Sequence, residues 1–313
     1  MKKEVGIFIL LVVLCVIVTL ENPRFLGEAN LQNMGRLIGM FGIFSIGVGM
    51  VIITGGIDLS IGSLIALLGV ILSIMLTEWR LPAAVAVAAV IVGAMTLGSF
   101  HGFLVTKVRM QPFIVTLCGL LLYRGLARFI AHDETKGFGT EGFEALRRLA
   151  TGSVFGVPMP FILLILISAV MWLVLHRSIY GRHLLAVGRN EEAARYSGVN
   201  SQLIIASTYV ISAGLTGVAG ILFAFYTNSV SPSSHGNFYE LYGIAAAVLG
   251  GCSLQGGEGS IIGIVIGTAL LQVLQNLVNL LGIPSSLNFA VMGAVILIGI
   301  LADQLLKRRA VTA

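Results

Sequence analysis

Long apolar stretches follow one another along the chain, separated by short segments that carry most of the charged residues. A helix that crosses a membrane needs about 20 predominantly apolar residues. Ten stretches reach or approach this length: Val5–Leu20, Leu37–Thr54, Ile61–Leu76, Ala83–Val105, Pro112–Ala131, Met159–Leu175, Gln202–Tyr226, Leu241–Leu254, Ile261–Gly282 and Leu287–Leu306. The sequence therefore predicts an all-α, polytopic membrane protein with about ten transmembrane helices. The stretches at 61–76 and 241–254 are short enough to re-enter the membrane instead of crossing it.

The basic residues indicate how these helices are oriented. With the N-terminus inside, eleven of the 19 Lys and Arg residues fall in inner segments, six fall in outer segments, and Arg124 and Arg128 lie within the fifth stretch. An excess of positive charge in short cytoplasmic segments is the usual pattern of membrane proteins. We therefore expect both termini to be cytoplasmic, with residues 1–313 forming a single transmembrane domain.

Composition excludes several other classes of protein. The chain is 57% hydrophobic and only 11% charged, whereas soluble domains have about 25% charged residues. Cys15, Cys118 and Cys252 all lie in apolar stretches and show no C-x-x-C spacing, which argues against a disulfide scaffold or a zinc site. The net charge of +5 comes from bases between apolar stretches. Membrane topology explains these bases better than nucleic-acid binding does.

Two glycine-rich hairpins join apolar stretches on the predicted inner side, at 55–62 and 256–263. Offset by 201 positions, they share four residues: Gly55/Gly256, Gly56/Gly257, Ile61/Ile262 and Gly62/Gly263. Weak internal symmetry with glycine-interrupted helices is typical of transporters. Any tight helical hairpin also favours glycine, so four matches leave an internal repeat open. Asp58, at the tip of the first hairpin, is expected to cap the next helix or to pair with an inner base.

The inner segment 176–201 predicts a short helix. Asn190 is a good N-cap, Glu191 and Glu192 suit the positive end of a helix, and Gly198 suits its C-terminal end. A helix of two turns is marginal alone, so a partner is expected to pack on it. The alternative is a basic loop that only sets the topology.

Four amide side chains share one face of the ninth stretch, at spacings i, i+3, i+4 and i+7. They are Gln272, Gln275, Asn276 and Asn279. Uncharged amides can bind the hydroxyls of a passing solute, so this face is a candidate lining of the transport path. Polar residues in membranes also commonly bond one helix to another, and the sequence does not decide between the two roles.

Three blocks of sequence resemble one family of transporters. They are GGIDLSIGS at 55–63, the block from 181 to 199 that contains AVGRNEEAARYSGV, and YELYGIAAAVLGGCSLQGGEG at 239–259. In this order they are similar to the ribose/xylose/galactose-type permeases of bacterial ABC importers, over a region from about Asn30 to Asp303. Glu258 departs from the pattern, because a basic residue is expected there in many relatives.

The resemblance implies a multi-pass permease subunit in the bacterial inner membrane that imports a monosaccharide or a similar small hydroxylated solute. The implied partners are a cytoplasmic ABC ATPase, a periplasmic or lipid-anchored sugar-binding protein, and a second permease copy or paralogue. Segment 176–201 becomes the cytoplasmic coupling loop. Its implied ATPase-coupling residues are Gly188, Arg189, Asn190, Glu191, Glu192, Ala193, Ala194, Arg195 and Gly198. The first hairpin contributes the signature residues Gly55, Gly56, Asp58, Ser60 and Gly62.

The chain itself carries no nucleotide-binding motif. A phosphate-binding loop needs G-x-x-x-x-G-K-[ST], and Gly-Lys does not occur in this sequence. We therefore expect a transport subunit that is not an enzyme and holds no cofactor or metal, with ATP and Mg bound by the partner ATPase. The alternatives are an ion-coupled secondary transporter, for which the spans lack paired acids, or a permease of the same family for a nucleoside, an amino acid or an autoinducer-like sugar.

Overall fold

The computed structural model describes residues 2–139 and 142–283, together with residues 287, 290, 293, 294 and 297. Its helices are α1 (Lys2–Glu21), α2 (Glu28–Ile53), α3 (Ile61–Ser73), α4 (Ala83–Thr106), α5 (Pro112–Ala131), α6 (Glu144–Thr151), α7 (Met159–Trp172), α8 (Ile179–Arg189), α9 (Glu191–Tyr196), α10 (Ser201–Thr227), α11 (Tyr239–Leu249) and α12 (Ile261–Leu280). Single π-helical turns extend α3 to Glu78 and α7 to Arg177. The all-α class is confirmed.

Eight of the described helices are long and apolar enough to cross a membrane: α1, α2, α3, α4, α5, α7, α10 and α12. The predicted span Leu241–Leu254 is wrong as a full crossing. Its helix, α11, has 11 residues, which rise about 16 Å against a hydrocarbon core of about 30 Å. The predicted span Leu287–Leu306 lies outside the described residues except at five positions, so the total number of crossings and the side of each terminus stay predictions.

The centre of the bundle is built around α2, α3 and α10, which are the most buried of the spanning helices. Aromatic rings fill the space between α2, α10 and α11, with the rings of Phe41 and Phe223 5.2 Å apart and those of Phe41 and Tyr239 4.8 Å apart. Small residues let the backbones approach elsewhere. A Cβ on Gly47 of α2 would lie 2.7 Å from the Cα of Ser212 on α10. Close contacts between small residues are how membrane helices pack.

The described residues of the outer segment, 133–139 and 142–158, form a cap over the ends of α3, α7 and α10. Its strand β1 (Lys136–Gly137) pairs with β4 (Ser229–Val230), and β2 (Ser153–Val154) pairs with β3 (Val157–Pro158), both antiparallel. Arg147 of α6 donates hydrogen bonds to Asn228 Oδ1 at 2.7 Å and to the Gly139 carbonyl at 2.6 Å. These bonds fasten the cap to the outer end of α10.

The inner segment 176–201 is mostly helical, which corrects its description as a loop with one short helix. Residues Ile179–Arg189 form α8, and Gly188 lies inside this helix. The side chains of Leu184 and Val187 are buried on one side of α8, and this packing supports a helix that local propensity does not predict. The second helix, α9, begins at Glu191 and ends at Tyr196.

Candidate functional site

Two helices begin inside the bundle and meet there. The chain is not helical from Gly56 to Ser60, and α3 starts at Ile61. Helix α11 starts at Tyr239, after a run of turns. The two backbones touch at Gly62 and Gly236, where a Cβ on either glycine would overlap the carbonyl oxygen of the other. Glycine alone permits this approach, so the two helix starts form one site.

This site lies well inside the spanning part of the bundle. The Asp58 carboxylate accepts a hydrogen bond from the Ser212 hydroxyl at 3.4 Å. Ser212 lies about 16 Å along α10 from its first residue, Ser201. The expectation that Asp58 sits at the inner tip of a hairpin is therefore wrong, because the segment from Gly56 to Ser60 runs back into the bundle.

Asp58 allows α3 to start at this depth. Its carboxylate accepts the backbone N–H of Ser60 at 3.0 Å and the Ser60 hydroxyl at 2.7 Å. The residue is only 3% exposed, and a buried charge is stable only when it is paired or hydrogen-bonded. The donors on Ser60 and Ser212 meet this need, while the carboxylate meets the positive end of the helix. Asp58 thus holds Ser60, the N-cap residue of α3, in place.

A second carboxylate approaches the same helix start from α11. Glu240 is 7% exposed, and its Oε2 lies so near Gly62 that a Cβ there would overlap it. The two acids, Asp58 and Glu240, therefore lie beside residues only two positions apart, Ser60 and Gly62. Asp58 and Glu240 lie outside the long spanning helices, in the segment before α3 and at the start of α11, and only the fold brings these residues, 182 positions apart, to the same helix start.

The turns before α11 are held by Arg124, one of two charged residues within α5. Its Nη1 donates to the carbonyls of Pro232 at 2.9 Å and of His235 at 2.8 Å. The other, Arg128, forms an exposed ion pair with Asp133 at 2.6 Å and lowers the pKa of that carboxyl through the hydrogen bond. Arg124 therefore supports the site, and Arg128 belongs to the outer surface.

Three aromatic side chains surround this site, and two of them, Tyr123 and Tyr209, give no signal in the sequence. The Tyr123 hydroxyl and His101 Nε2 are 2.8 Å apart, and both residues are buried. The Tyr209 hydroxyl is buried and has no hydrogen-bond partner among the described residues. Single tyrosines in apolar stretches carry no spacing signal, so only their assembly around Asp58 singles them out.

A cavity of about 760 Å³ opens on the predicted cytoplasmic side and leads toward this site. Its walls come from the first glycine hairpin, the turn between α4 and α5, helix α9 and the start of α10. Tyr209 and Gly56 line it, as do Glu191 and Arg195. The cavity therefore connects the short helix α9 with the segment that precedes Asp58.

The inner ends of three separate segments meet at a junction of glycines. The N–H of Gly257 donates to the carbonyl of Ile53, at the end of α2, at 2.8 Å. A Cβ on Gly188 of α8 would overlap that same carbonyl and would lie 2.5 Å from the nitrogen of Gly257. A Cβ on Gly256 would lie 3.0 Å from the nitrogen of Gly55. Both hairpins and α8 are thus in backbone contact, which we call the glycine junction.

Helix α9 follows this junction directly and is exposed. Asn190 caps it by accepting the N–H of Ala193 at 2.9 Å, and Glu191 accepts a hydrogen bond from Ser201 at 2.9 Å. Of its six side chains only Ala194 is buried, whereas Tyr196 is 82% exposed. This capped helix of six residues therefore leaves most of its surface exposed.

The four amides on α12 make different contacts. Asn276 and Asn30 of α2 exchange two hydrogen bonds, at 2.7 and 3.1 Å, and Gln275 donates to the Tyr242 hydroxyl at 2.6 Å. Gln272 is buried, and Asn279 is exposed. Two of the four amides therefore bond one helix to another, which is the second of the two roles that the sequence leaves open.

Comparison with known proteins places the chain among permeases. Residues 30–300 match the family model described as branched-chain amino acid transport system / permease component. The ribose import permease protein RbsC of Bacillus subtilis is 37% identical over 96% of this chain and 93% of its own length. The Escherichia coli K12 RbsC is 38% identical over 94% and 92%, and the L-arabinose transport system permease protein AraH of the same strain is 33% identical over 96% and 90%. No solved structure gave a significant match.

Proposed function

Because the chain belongs to the family of branched-chain amino acid transport system / permease components, it is a membrane-embedded ABC importer subunit and not an enzyme, and we propose that its solute is a monosaccharide. The names of its relatives support a pentose, since they specify ribose and arabinose. Such permeases work in the bacterial inner membrane with a separate ATPase and a solute-binding protein. In this proposal residues 1–313 form one transmembrane domain, and ATP and Mg bind to the ATPase.

The observation that carries the mechanism is the position of α9. This helix is exposed and capped at Asn190, and it begins at Glu191, with only Arg189 and Asn190 between it and Gly188 of the glycine junction. In this proposal α9 docks on the ATPase, and the coupling residues from Gly188 to Gly198 move with it. Because Gly188 contacts both hairpins, a movement of α9 reaches both of them, and the first hairpin leads directly to Asp58. A ligand or nucleotide shifts such a system through its different affinity for the two states.

The proposal also covers the path that the solute follows through the protein. The hairpin signature from Gly55 to Gly62 joins the cytoplasmic cavity to the buried site, so the proposed cytoplasmic part of the path follows this segment. The amide bonds of Gln275 and Asn276 favour a packing role for those two residues. A second permease copy or paralogue is proposed to complete the path.

Charge reversal on α9 tests the coupling. The double substitution E191K/E192K places positive charge at the positive end of a helix and on the proposed docking surface. We expect the variant to insert normally, to lose at least tenfold in uptake, and to recover much less ATPase in a pull-down from gently solubilised membranes. K107E, a charge reversal at the inner end of α4, is the matched control. Normal uptake by E191K/E192K would remove the assignment of α9.

Uptake assays identify the solute. The complete importer, reconstituted in liposomes with its ATPase and binding protein, is expected to accumulate ribose or arabinose only when ATP is present. Leucine is the contrasting substrate, because the family description names branched-chain amino acids. Accumulation of leucine but of neither pentose would overturn the sugar assignment, and accumulation without ATP would indicate ion coupling.

A further inference from the structure

The outer hairpin formed by β2 and β3 has an unusual residue at its turn. Val154 pairs with Val157, so Phe155 and Gly156 are the two central residues, with φ values of +50° and +79°. Two-residue turns with both φ values positive favour Asn-Gly or Asp-Gly. A bulky residue is disfavoured at positive φ, so the turn itself does not account for phenylalanine.

Packing does not account for it either. The Phe155 side chain is 102% exposed, and the flanking Val154 and Val157 are 41% and 40% exposed. Burial in the fold therefore contributes nothing at this ring, while the neighbouring positions make the whole tip apolar. An exposed apolar surface in a folded protein commonly marks a contact with another phase or another molecule.

The base of the hairpin contacts α2 some distance along that helix from its outer end. A Cβ on Gly35 of α2 would lie 3.2 Å from Cγ of Pro158 in β3, and a Cβ on Gly39 would overlap the backbone at Pro160. Gly35 is seven residues into α2, which starts at Glu28, a distance of about 10 Å along the helix. The base of the hairpin thus lies beside the outer part of this spanning helix, and not beyond its end.

The hairpin also lies at the edge of the bundle. It leads directly into α7, which exposes most of its surface and packs mainly against α2. Arg148 of α6 is exposed, and its carbonyl accepts the N–H of Gly152 at 2.9 Å, so a positive charge stands beside the base of the hairpin. An apolar tip with an adjacent cation matches the order of groups in a leaflet, where acyl chains lie beneath phosphates.

We propose that the Val154–Val157 tip inserts into the outer leaflet of the membrane, with the Phe155 ring at the boundary between headgroups and acyl chains. Aromatic residues are enriched at this level of membrane proteins. The anchor fixes the depth of the outer end of α7 relative to α2. It involves neither α9 nor the solute, so its test is independent of transport.

Fluorescence in lipid nanodiscs tests the anchor. The variant F155W is made in a W79F/W172F background, so that position 155 holds the only tryptophan of the chain. It is placed in nanodiscs of phosphatidylethanolamine and phosphatidylglycerol, with or without bromine on the upper acyl carbons. We expect blue-shifted emission, at least twofold quenching by the brominated lipid, and weak quenching by aqueous acrylamide. A145W, at an exposed position of α6 in the same background, is the control and is expected to show smaller lipid quenching.

Two results would overturn the proposal. Strong acrylamide quenching of Trp at 155 with no response to brominated lipid would place the tip in water. Protection from acrylamide that develops only when the solute-binding protein is added would assign the tip to a protein partner. If the tryptophan variant is unstable, F155N tests the proposal instead. Asn-Gly suits the turn, so this variant is expected to fold. We expect parallax-type depth labelling at a nearby introduced cysteine to shift toward water.

Discussion

The two glycine hairpins share a sequence pattern but send the chain to different depths. In the first, the chain turns at Gly55 and runs back into the bundle to Asp58, which accepts a hydrogen bond from Ser212. Helix α3 therefore begins well inside the bundle. In the second, Gly259 stands at the position that matches Asp58, and it packs against Ile53 at the inner end of α2. The shared glycines build the junction, and the residues between them decide where the next helix begins.

The residues at the two helix starts differ accordingly. In the first, the buried Asp58 carboxylate accepts hydrogen bonds from Ser60, the N-cap residue of α3, and from Ser212. Helix α12 is capped by the hydroxyl of Ser260, which accepts the Gly263 N–H at 3.4 Å and also donates to Glu4 of α1. A helix start deep in a membrane needs a strong local acceptor and donors for it, whereas a start near the inner surface can use a single hydroxyl.

The largest expected effect on uptake comes from disrupting the glycine junction, which both hairpins share. Gly188→Ala places a methyl group on the Ile53 carbonyl, so α8 and both hairpins must move apart. Overpacking of this kind costs about 1–3 kcal/mol, and we expect uptake to fall more than tenfold. Uptake in liposomes and thermal unfolding in detergent measure the two effects. Gly125→Ala on α5, where a Cβ meets nothing within 4 Å, is the matched control, and equal behaviour of the two variants would remove the junction from the coupling mechanism.

A smaller effect on uptake is expected from variants that distinguish the start of α3 from the start of α12. Asp58→Ala leaves the N–H and hydroxyl of Ser60 buried without their acceptor, which costs about 1–3 kcal/mol for each such group. Ser260→Ala removes an ordinary N-cap, worth about 1 kcal/mol. We therefore expect Asp58→Ala to lower the unfolding midpoint more, with a loss of uptake that Asp58→Asn partly restores because its amide oxygen still accepts. A larger loss for Ser260→Ala would contradict the proposed difference in depth.

The cap of α9 is expected to have a narrower effect. Asn190→Ala removes the acceptor of the Ala193 N–H and should cost about 1 kcal/mol in this helix. Because α9 packs little on the rest of the fold, the unfolding midpoint should change by less than it does for Asp58→Ala. ATPase recovery in a pull-down should fall several-fold, and Asn190→Ser should restore it. Unchanged ATPase recovery would show that docking does not depend on an ordered α9.

The sequence predicted most of the helices, because length and hydropathy alone define a membrane span. It also predicted the cap at Asn190, which depends on residues only three positions apart. The depth of Asp58 and its approach to Glu240 were not predictable, since Ser212 and Glu240 are 154 and 182 positions away along the chain. Helix α8 was missed for a related reason: Leu184 and Val187 stabilise it through burial against other segments, which local propensity does not reveal.

The smallest expected effect concerns the outer part of α12, the helix that follows the second hairpin. Asn276 and Asn30 bond to each other, and hydrogen bonds between membrane helices are worth about 0.6 kcal/mol on average. A double-mutant cycle with Asn30→Leu and Asn276→Leu should give a coupling energy of that size in unfolding measurements, with uptake within twofold of the original. If Asn276→Leu instead abolished uptake without changing stability, its amide would belong to the solute path, and the second hairpin, like the first, would lead to a functional polar site.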